Sequence, residues 1–136
     1  MKNLIILLIC LMYIGVGNAQ EFGGDWSFVS GETPPEYVFS LIIYPEKNGI
    51  TKGEYIFTWY FGNRIDEGNV RMISKKGNKA VLRISTVSHS GPLSKLFNIE
   101  LLTDSTLYFT RRKHDDYWLP DSVVLERSRK VDEIEL

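Results

Sequence analysis

The chain has 136 residues and a mass of 15.7 kDa, which is the size of one domain. Hydrophobic residues make up 43% and aromatic residues 12% of it, so the chain can bury a core and is not disordered as a whole. Its net charge of −1 argues against a nucleic-acid-binding protein, since such proteins carry strongly basic faces. Its single cysteine excludes an intrachain disulfide and a thiolate zinc site.

Residues 1–19 have the features of a secretory signal peptide. Lys2 supplies the positive charge, residues 4–16 form an uncharged and almost wholly apolar run, and Gly17 and Ala19 mark a cleavage site before Gln20. The run is shorter than the roughly 20 apolar residues that a spanning helix needs. We therefore expect cleavage rather than anchoring, with no stable membrane insertion afterwards.

Beyond the leader, apolar and polar residues alternate, and turn residues interrupt the pattern at regular intervals. Apolar residues with this spacing occur at 26–28, 37–43, 55–61, 70–72, 80–84, 97–101, 107–109 and 123–125. Asn48-Gly49 is a strong signal for a hairpin turn, and residues 87–95 are expected to form a longer connection. The sequence predicts a single domain over residues 20–127, followed by a charged C-terminal tail at residues 128–136.

About eight short antiparallel strands in sequence predict an all-β fold. An up-and-down barrel is favoured because closure removes the exposed edges of the sheet. A two-sheet sandwich built from the same strands is the alternative, and the pattern alone does not decide between them.

The hairpin of residues 37–61 departs from a sheet with one solvated face. Its second face is also apolar, through Val38, Ile42, Tyr44, Ile56 and Tyr60, whereas an outer face in water should be polar. Either the N-terminal strand or the C-terminal segment covers this face, or it is an exposed patch that binds a partner.

No group of residues predicts catalysis or metal binding. His89 lies between two serines but without the strand-turn-helix elbow of a nucleophile. His114, Asp115 and Asp116 are adjacent, but a zinc site needs convergent side chains and the chain has only two histidines. We therefore expect a protein that is not an enzyme and that has no cofactor and no metal. Three tryptophans, Trp26, Trp59 and Trp118, are the candidate ligand-binding residues at a barrel mouth.

Several segments resemble a group of small secreted bacterial proteins of unknown function with a lipocalin-like barrel outline. They are the strand at Phe39, the turn Asn48-Gly49, residues 53–55, residues 62–66 and the terminal residues 118–125. The segment 24–26 also has the Gly-x-Trp spacing that lipocalins carry on their first strand. The resemblance implies a barrel in an extracytoplasmic bacterial setting, namely the periplasm of a Gram-negative cell or beyond. It implies no catalytic residue and leaves the ligand open.

Two functions follow as expectations. The first is a secreted binding module for a small apolar or amphipathic molecule, held at the barrel mouth near Trp26 and Trp59. The alternative is a protein-interaction or inhibitor module that uses the apolar outer face of the 37–61 hairpin.

Overall fold

The computed structural model describes residues 22–31, 35–60, 64–88, 91–112 and 119–130. Within these residues the chain forms eight strands: β1 (Gly24–Val29), β2 (Tyr37–Ile43), β3 (Lys52–Trp59), β4 (Arg64–Lys76), β5 (Lys79–Ser88), β6 (Gly91–Thr103), β7 (Thr106–Arg111) and β8 (Ser122–Lys130). Each strand pairs antiparallel with the next, and β8 pairs with β1, so the sheet closes on itself. The predicted all-β barrel is confirmed, and the sandwich is excluded because the wall is continuous. Within the described part of the chain, no helix is long and apolar enough to cross a bilayer.

The up-and-down order gives the barrel two different ends. The hairpins after β2, β4 and β6 lie at one end, together with the start of β1 and the finish of β8; we call it the terminal end. The connections after β1, β3, β5 and β7 lie at the other, which we call the far end. Residues 32–34, 61–63, 89–90 and 113–118 of these far-end connections are outside the described residues.

The core lies inside the barrel and consists of alternate residues from all eight strands. Phe39, Phe97 and Phe109 fill its centre, with ring centroids 5.1 Å apart for Phe39 and Phe109 and 4.8 Å apart for Phe97 and Phe109. Because side chains alternate between the two faces of a strand, each of these inward residues has outward neighbours that face solvent. The period-two pattern of the sequence is this alternation.

The terminal end is closed by the side chains of Phe22, Trp26 and Arg127. Trp26 on β1 is opposite Arg127 on β8, and the Arg127 guanidinium carbon lies 4.3 Å from the centroid of the Trp26 ring. The Trp26 indole Nε1 donates a hydrogen bond of 2.8 Å to the carbonyl oxygen of Phe22, whose own ring is buried. Arg127 Nη1 is also 3.6 Å from Asp104 Oδ1, and only 7% of the Arg127 side chain is exposed. The contact between Trp26 and Arg127 joins the first strand to the last.

The turn after β2 confirms the prediction made from Asn48-Gly49. Lys47 and Ile50 exchange two backbone hydrogen bonds, of 2.9 and 3.0 Å, so the loop between them is two residues long. Asn48 and Gly49 both have positive φ, 55° and 75°. This is the conformation that a right-handed hairpin twist requires, and Asn and Gly adopt it at the lowest cost.

The longer connection predicted for residues 87–95 is wrong. Strand β5 continues to Ser88 and β6 begins at Gly91, with Pro92 paired opposite Val87. A Gly-Pro pair such as Gly91-Pro92 is typical of turns, but proline is also tolerated at the beginning of a strand, where it needs no ladder bond. Strand β6 begins at Gly91 because β5 is paired with it along the whole length of β5, from Lys79 to Ser88.

Strand β8 extends to Lys130, into the first three residues of the stretch assigned to the charged tail. Lys130 is paired with Gly24, and Ser128 Oγ donates a hydrogen bond of 3.1 Å to the Asp25 carbonyl oxygen. The charged residues continue the strand because β8 has to reach the start of β1 for the barrel to close. Residues 131–136 of that stretch lie outside the described residues.

We predict that Arg127→Ala lowers the free energy of unfolding by about 2 kcal/mol, through loss of the cation–π contact and of the packed aliphatic stem. Arg127→Lys keeps the charge but not the planar group, so its free energy of unfolding should lie between those of the wild type and Arg127→Ala. Urea unfolding measures the difference. An Arg127→Ala protein that unfolds at the wild-type urea concentration would show that this contact does not hold the barrel closed.

Gly68 on β4 is opposite Tyr55 on β3, and the tyrosine ring occupies the space above it. A Cβ at Gly68 would collide with the Ser85 carbonyl oxygen and lie 2.9 Å from Tyr55 Cε1. Gly68→Ala should therefore cost about 1–3 kcal/mol of unfolding free energy by overpacking. Gly31→Ala is the matched control because nothing lies within 4 Å of a Cβ there. Equal melting temperatures for the two variants would contradict the prediction.

Candidate functional site

Aromatic side chains line one half of the far end. Tyr37 and Trp59 are direct partners on β2 and β3, and their rings are stacked with centroids 6.0 Å apart and an interplanar angle of 8°. Phe28 on β1 lies 5.5 Å from Tyr37, centroid to centroid. These three side chains are partly buried and pack against the core. They continue the core to the rim of the barrel, where part of each side chain meets solvent.

Phe57 connects this aromatic wall to the buried centre. Its ring centroid is 5.3 Å from Tyr37 and 6.2 Å from Phe39, and its side chain is buried. Burial raises the pKa of the Tyr37 hydroxyl above its ordinary value, and the nearby charge of Glu36 raises it further. Tyr37 is therefore a neutral phenol at physiological pH, able to donate a hydrogen bond at the rim.

Polar side chains line the opposite half of the far end. Asp66 on β4 accepts a hydrogen bond of 3.0 Å from the Tyr55 hydroxyl at Oδ2 and one of 2.8 Å from Thr86 Oγ1 at Oδ1. Tyr55 and Thr86 are buried, and Asp66 is half-buried. Two hydroxyl donors on neighbouring strands hold this carboxylate in one orientation, and hydrogen bonds to a charged acceptor are stronger than neutral ones.

Two cations occupy inward positions on the next strands. Lys95 on β6 is half-buried and is paired with the inward residue Ile84, and Arg111 on β7 is paired with the buried Phe97. The Arg111 Nη2 atom donates a hydrogen bond of 2.7 Å to the Leu119 carbonyl oxygen and lies 3.0 Å from Asp121 Oδ1. Arg111 thus attaches the connection before β8 to the barrel wall. We call Phe28, Tyr37, Trp59, Asp66, Thr86 and Lys95 the far-end lining.

The structure separates the tryptophans that the sequence grouped together. Trp26 is fully buried and is opposite Leu41, whereas Trp59 is opposite Tyr37. Four residues of an extended strand separate these two levels, which is about 13 Å. Trp26 belongs to the closed terminal end and Trp59 to the far end. Trp118 lies outside the described residues.

The apolar outer face of the 37–61 hairpin is present on the barrel surface. Val38, Ile42 and Tyr44 are half-buried, while Ile56 and Tyr60 are 42% and 47% exposed. Of the covering segments considered above, β1 and β8 lie within the barrel wall and not over this face. Burial raises the pKa of Tyr44 above its usual value, and a hydrogen bond with Glu54 and the charge of Glu54 raise it further.

Two further apolar residues belong to this outer face but were not predicted. Val29 on β1 is paired with Val38, and Ile65 on β4 is paired with Thr58, which is itself opposite Val38. The row therefore crosses four strands, and Ile65 is 68% exposed. Its two ends are distant in sequence, so only the strand register identifies it. We call Val29, Val38, Ile42, Tyr44, Ile56, Tyr60 and Ile65 the outer apolar face.

The terminal end carries a hollow of about 400 Å³ on its outer rim. It is lined in part by Phe22, Tyr44, Ile73 and Lys75, and the Lys75 ammonium lies 5.7 Å from the centroid of the Phe22 ring. Among the described residues, no three of His, Cys, Asp and Glu are placed to hold a metal ion. His89, His114, Asp115 and Asp116 lie outside the described residues.

Comparison of the chain with protein-family models, with curated proteins and with solved structures finds no match. Function is therefore argued from the barrel, its far-end lining and its surfaces.

Proposed function

We propose that this protein is a non-enzymatic binding module that holds a small amphipathic molecule at the far end of the barrel. The observation that carries the proposal is the stacked Tyr37–Trp59 pair, which is only partly buried and lies above a fully packed core. Aromatic faces of this kind bind apolar groups well, and their exposure otherwise costs free energy.

The opposite wall supports a ligand with a polar group. Asp66, fixed by Tyr55 and Thr86, lies in the inward rows of the wall, and so does Lys95. A few polar groups that face a mostly apolar surface are typical of small-molecule sites, since they orient the ligand. The ligand would lie with its apolar part on Tyr37 and Trp59 and its polar part towards β4–β6.

The packed centre limits how deep the ligand can enter. Phe39, Phe97 and Phe109 occupy the middle of the barrel, so a ligand at the far end lies close to solvent. This favours a short or flat molecule over one that fills the barrel. The leader at residues 1–19 and the resemblance to secreted lipocalin-like proteins support an extracytoplasmic location for this binding.

We predict that an amphipathic probe, such as a naphthalene-sulfonate dye or a medium-chain fatty acid, binds the protein and raises its melting temperature. At 100 times its dissociation constant, the ligand should add about 2.7 kcal/mol of stability. Trp59→Ala should weaken binding by about tenfold through loss of the aromatic contact. Ile56→Ala, on the outside of the same hairpin, is the matched control and should bind normally. Equal affinities for the two variants, or no binding of any probe, would reject the far-end site.

A second candidate function is supported by the outer apolar face. Ile56, Tyr60 and Ile65 together expose more apolar surface than isolated surface residues do, which is typical of an interaction site. In this alternative the protein is an interaction or inhibitor module whose partner packs against β1–β4.

For the alternative we predict that Ile56→Ser with Ile65→Ser abolishes association, because burial of each side chain would contribute about 1.5–3 kcal/mol. Sedimentation velocity measures self-association, and titration with a candidate partner measures binding to another protein. Leu102→Ser is the control, since Leu102 is also half-exposed but lies on β6. Association that survives in the double variant excludes this face as the interface.

A further inference from the structure

A row of basic residues crosses the outside of the barrel on three neighbouring strands. Lys52 on β3 is paired with Arg71 on β4, and Arg71 is paired with Arg83 on β5. All three side chains are exposed and point outward. Paired residues of neighbouring strands lie about 5 Å apart, so three positive charges are held along a short line on a rigid wall.

The described residues around this row neutralise it little. Like charges directly opposite one another destabilise a sheet, and within the described part of the chain none of the three makes an ion pair. The nearest acidic residue on the outer face of β3 is Glu54. It is hydrogen-bonded to Tyr44, which follows β2 and therefore lies on the side of β3 away from Arg71. Because the whole protein has a net charge of −1, the basic row reflects a segregation of charge on the surface.

The basic surface continues to the terminal end along the β4–β5 hairpin. Lys76 and Lys79 are paired there and are exposed, and Lys75 reaches over the ring of Phe22. Glu100 on β6 is opposite Lys79 and offsets part of its charge. We call Lys52, Arg71, Lys75, Lys76, Lys79 and Arg83 the basic band.

Exposed isoleucines lie beside the basic band. Ile73 is the extra residue of a bulge in β4, between Met72 and Ser74, and is 42% exposed. Ile50, at the end of the β2–β3 turn, is 37% exposed. A hydrogen bond of 3.0 Å from the Met72 amide to the Thr51 carbonyl oxygen joins the two segments. A bulge re-aims the side chain at its site, and here the exposed isoleucine lies at the edge of the hollow at the terminal end.

We propose that the terminal end and the adjoining outer wall of β3–β5 dock, through the basic band and these isoleucines, on the surface of a lipid bilayer that contains anionic lipids. Basic residues near such a surface are attracted by its negative potential, and neighbouring apolar side chains enter the interfacial region. Charge alone would also suit a soluble polyanion. Ile50 and Ile73 favour the bilayer, because a polysaccharide or nucleic-acid backbone gives an isoleucine no apolar phase to enter.

This docking would leave the far end of the barrel facing away from the bilayer. The two ends of an up-and-down barrel point in opposite directions, so the far-end lining stays open to solvent while the basic band contacts headgroups. The proposal therefore stands independently of ligand binding at the far end, and each can fail without the other.

The test is co-sedimentation with vesicles of phosphatidylcholine alone or mixed with phosphatidylglycerol. The chain from Gln20 is the protein to use, because all eight strands lie within residues 22–130 and the apolar leader would itself bind lipid. We expect binding only to the anionic vesicles, with loss of binding as salt is added. Arg71→Gln with Arg83→Gln should weaken the partition coefficient about 25-fold, since each charge contributes about fivefold.

Matched variants distinguish binding through a specific docking surface from attraction that depends only on the net charge of the protein. Arg64→Gln with Arg112→Gln removes the same charge from exposed positions near the far end and should bind like the wild type. Ile73→Ser should weaken binding, whereas Ile65→Ser, at a more exposed apolar position, should not. Retained folding is checked by the melting temperature, which removal of the Arg71 charge should leave unchanged or raise.

Three results would overturn the proposal. The first is no binding to anionic vesicles at low salt. The second is equal loss of binding in the two double variants, which would show that net charge alone is responsible. The third is equal behaviour of Ile73→Ser and Ile65→Ser together with binding to dextran sulfate, which would identify the band as a polyanion site.

Discussion

The contact of Trp26 with Arg127 is the point at which the barrel closes, and the rest of the architecture depends on it. Seven of the eight strand pairings join neighbours in sequence, whereas the pairing of β1 with β8 joins the two ends of the domain. The loop-closure entropy for that last pairing is the largest, so it needs contacts beyond backbone hydrogen bonds. The stacking of the Arg127 guanidinium on the indole of Trp26 provides such a contact. The hydrogen bond from the indole to the Phe22 carbonyl oxygen is local and fixes the orientation of the ring within the N-terminal segment.

Closure has a direct consequence for where this protein can bind anything. In a small eight-stranded barrel the interior is just wide enough for side chains to fill, and here the phenylalanines at 39, 97 and 109 fill it. Binding capacity is therefore displaced to the ends and to the outside of the wall. At the far end the inward residues become partly exposed: they are aromatic on β1–β3 and polar on β4 and β6, where they are Asp66 and Lys95. The terminal end is instead sealed by Phe22 and Trp26.

The outside of the wall has two distinct surfaces. The row of apolar residues from Val29 to Ile65 crosses β1–β4 near the far end, and Ile42 and Tyr44 extend this face to the terminal end. The basic band lies across β3–β5 towards the terminal end. The rigid register of a closed sheet fixes these side chains relative to one another without further support. A protein with little net charge can in this way present an apolar surface and a basic surface at the same time.

The sequence by itself determined the local structure of this protein. Alternation of apolar residues decided the strands and which of their residues face inward, and Asn48-Gly49 decided the two-residue turn, because both depend on neighbours along the chain. It also indicated the outer apolar face within the hairpin of β2 and β3.

Only the tertiary structure decided the register between strands. The register places Trp26 and Trp59 at different levels of the barrel and Ile65 on the outer apolar face. Pairing with neighbouring strands also determines that β6 begins at Gly91 and that β8 ends at Lys130. It also aligned Lys52, Arg71 and Arg83 in one row. Register and closure are set by contacts between residues far apart in the chain, and the local pattern carries no information about those contacts.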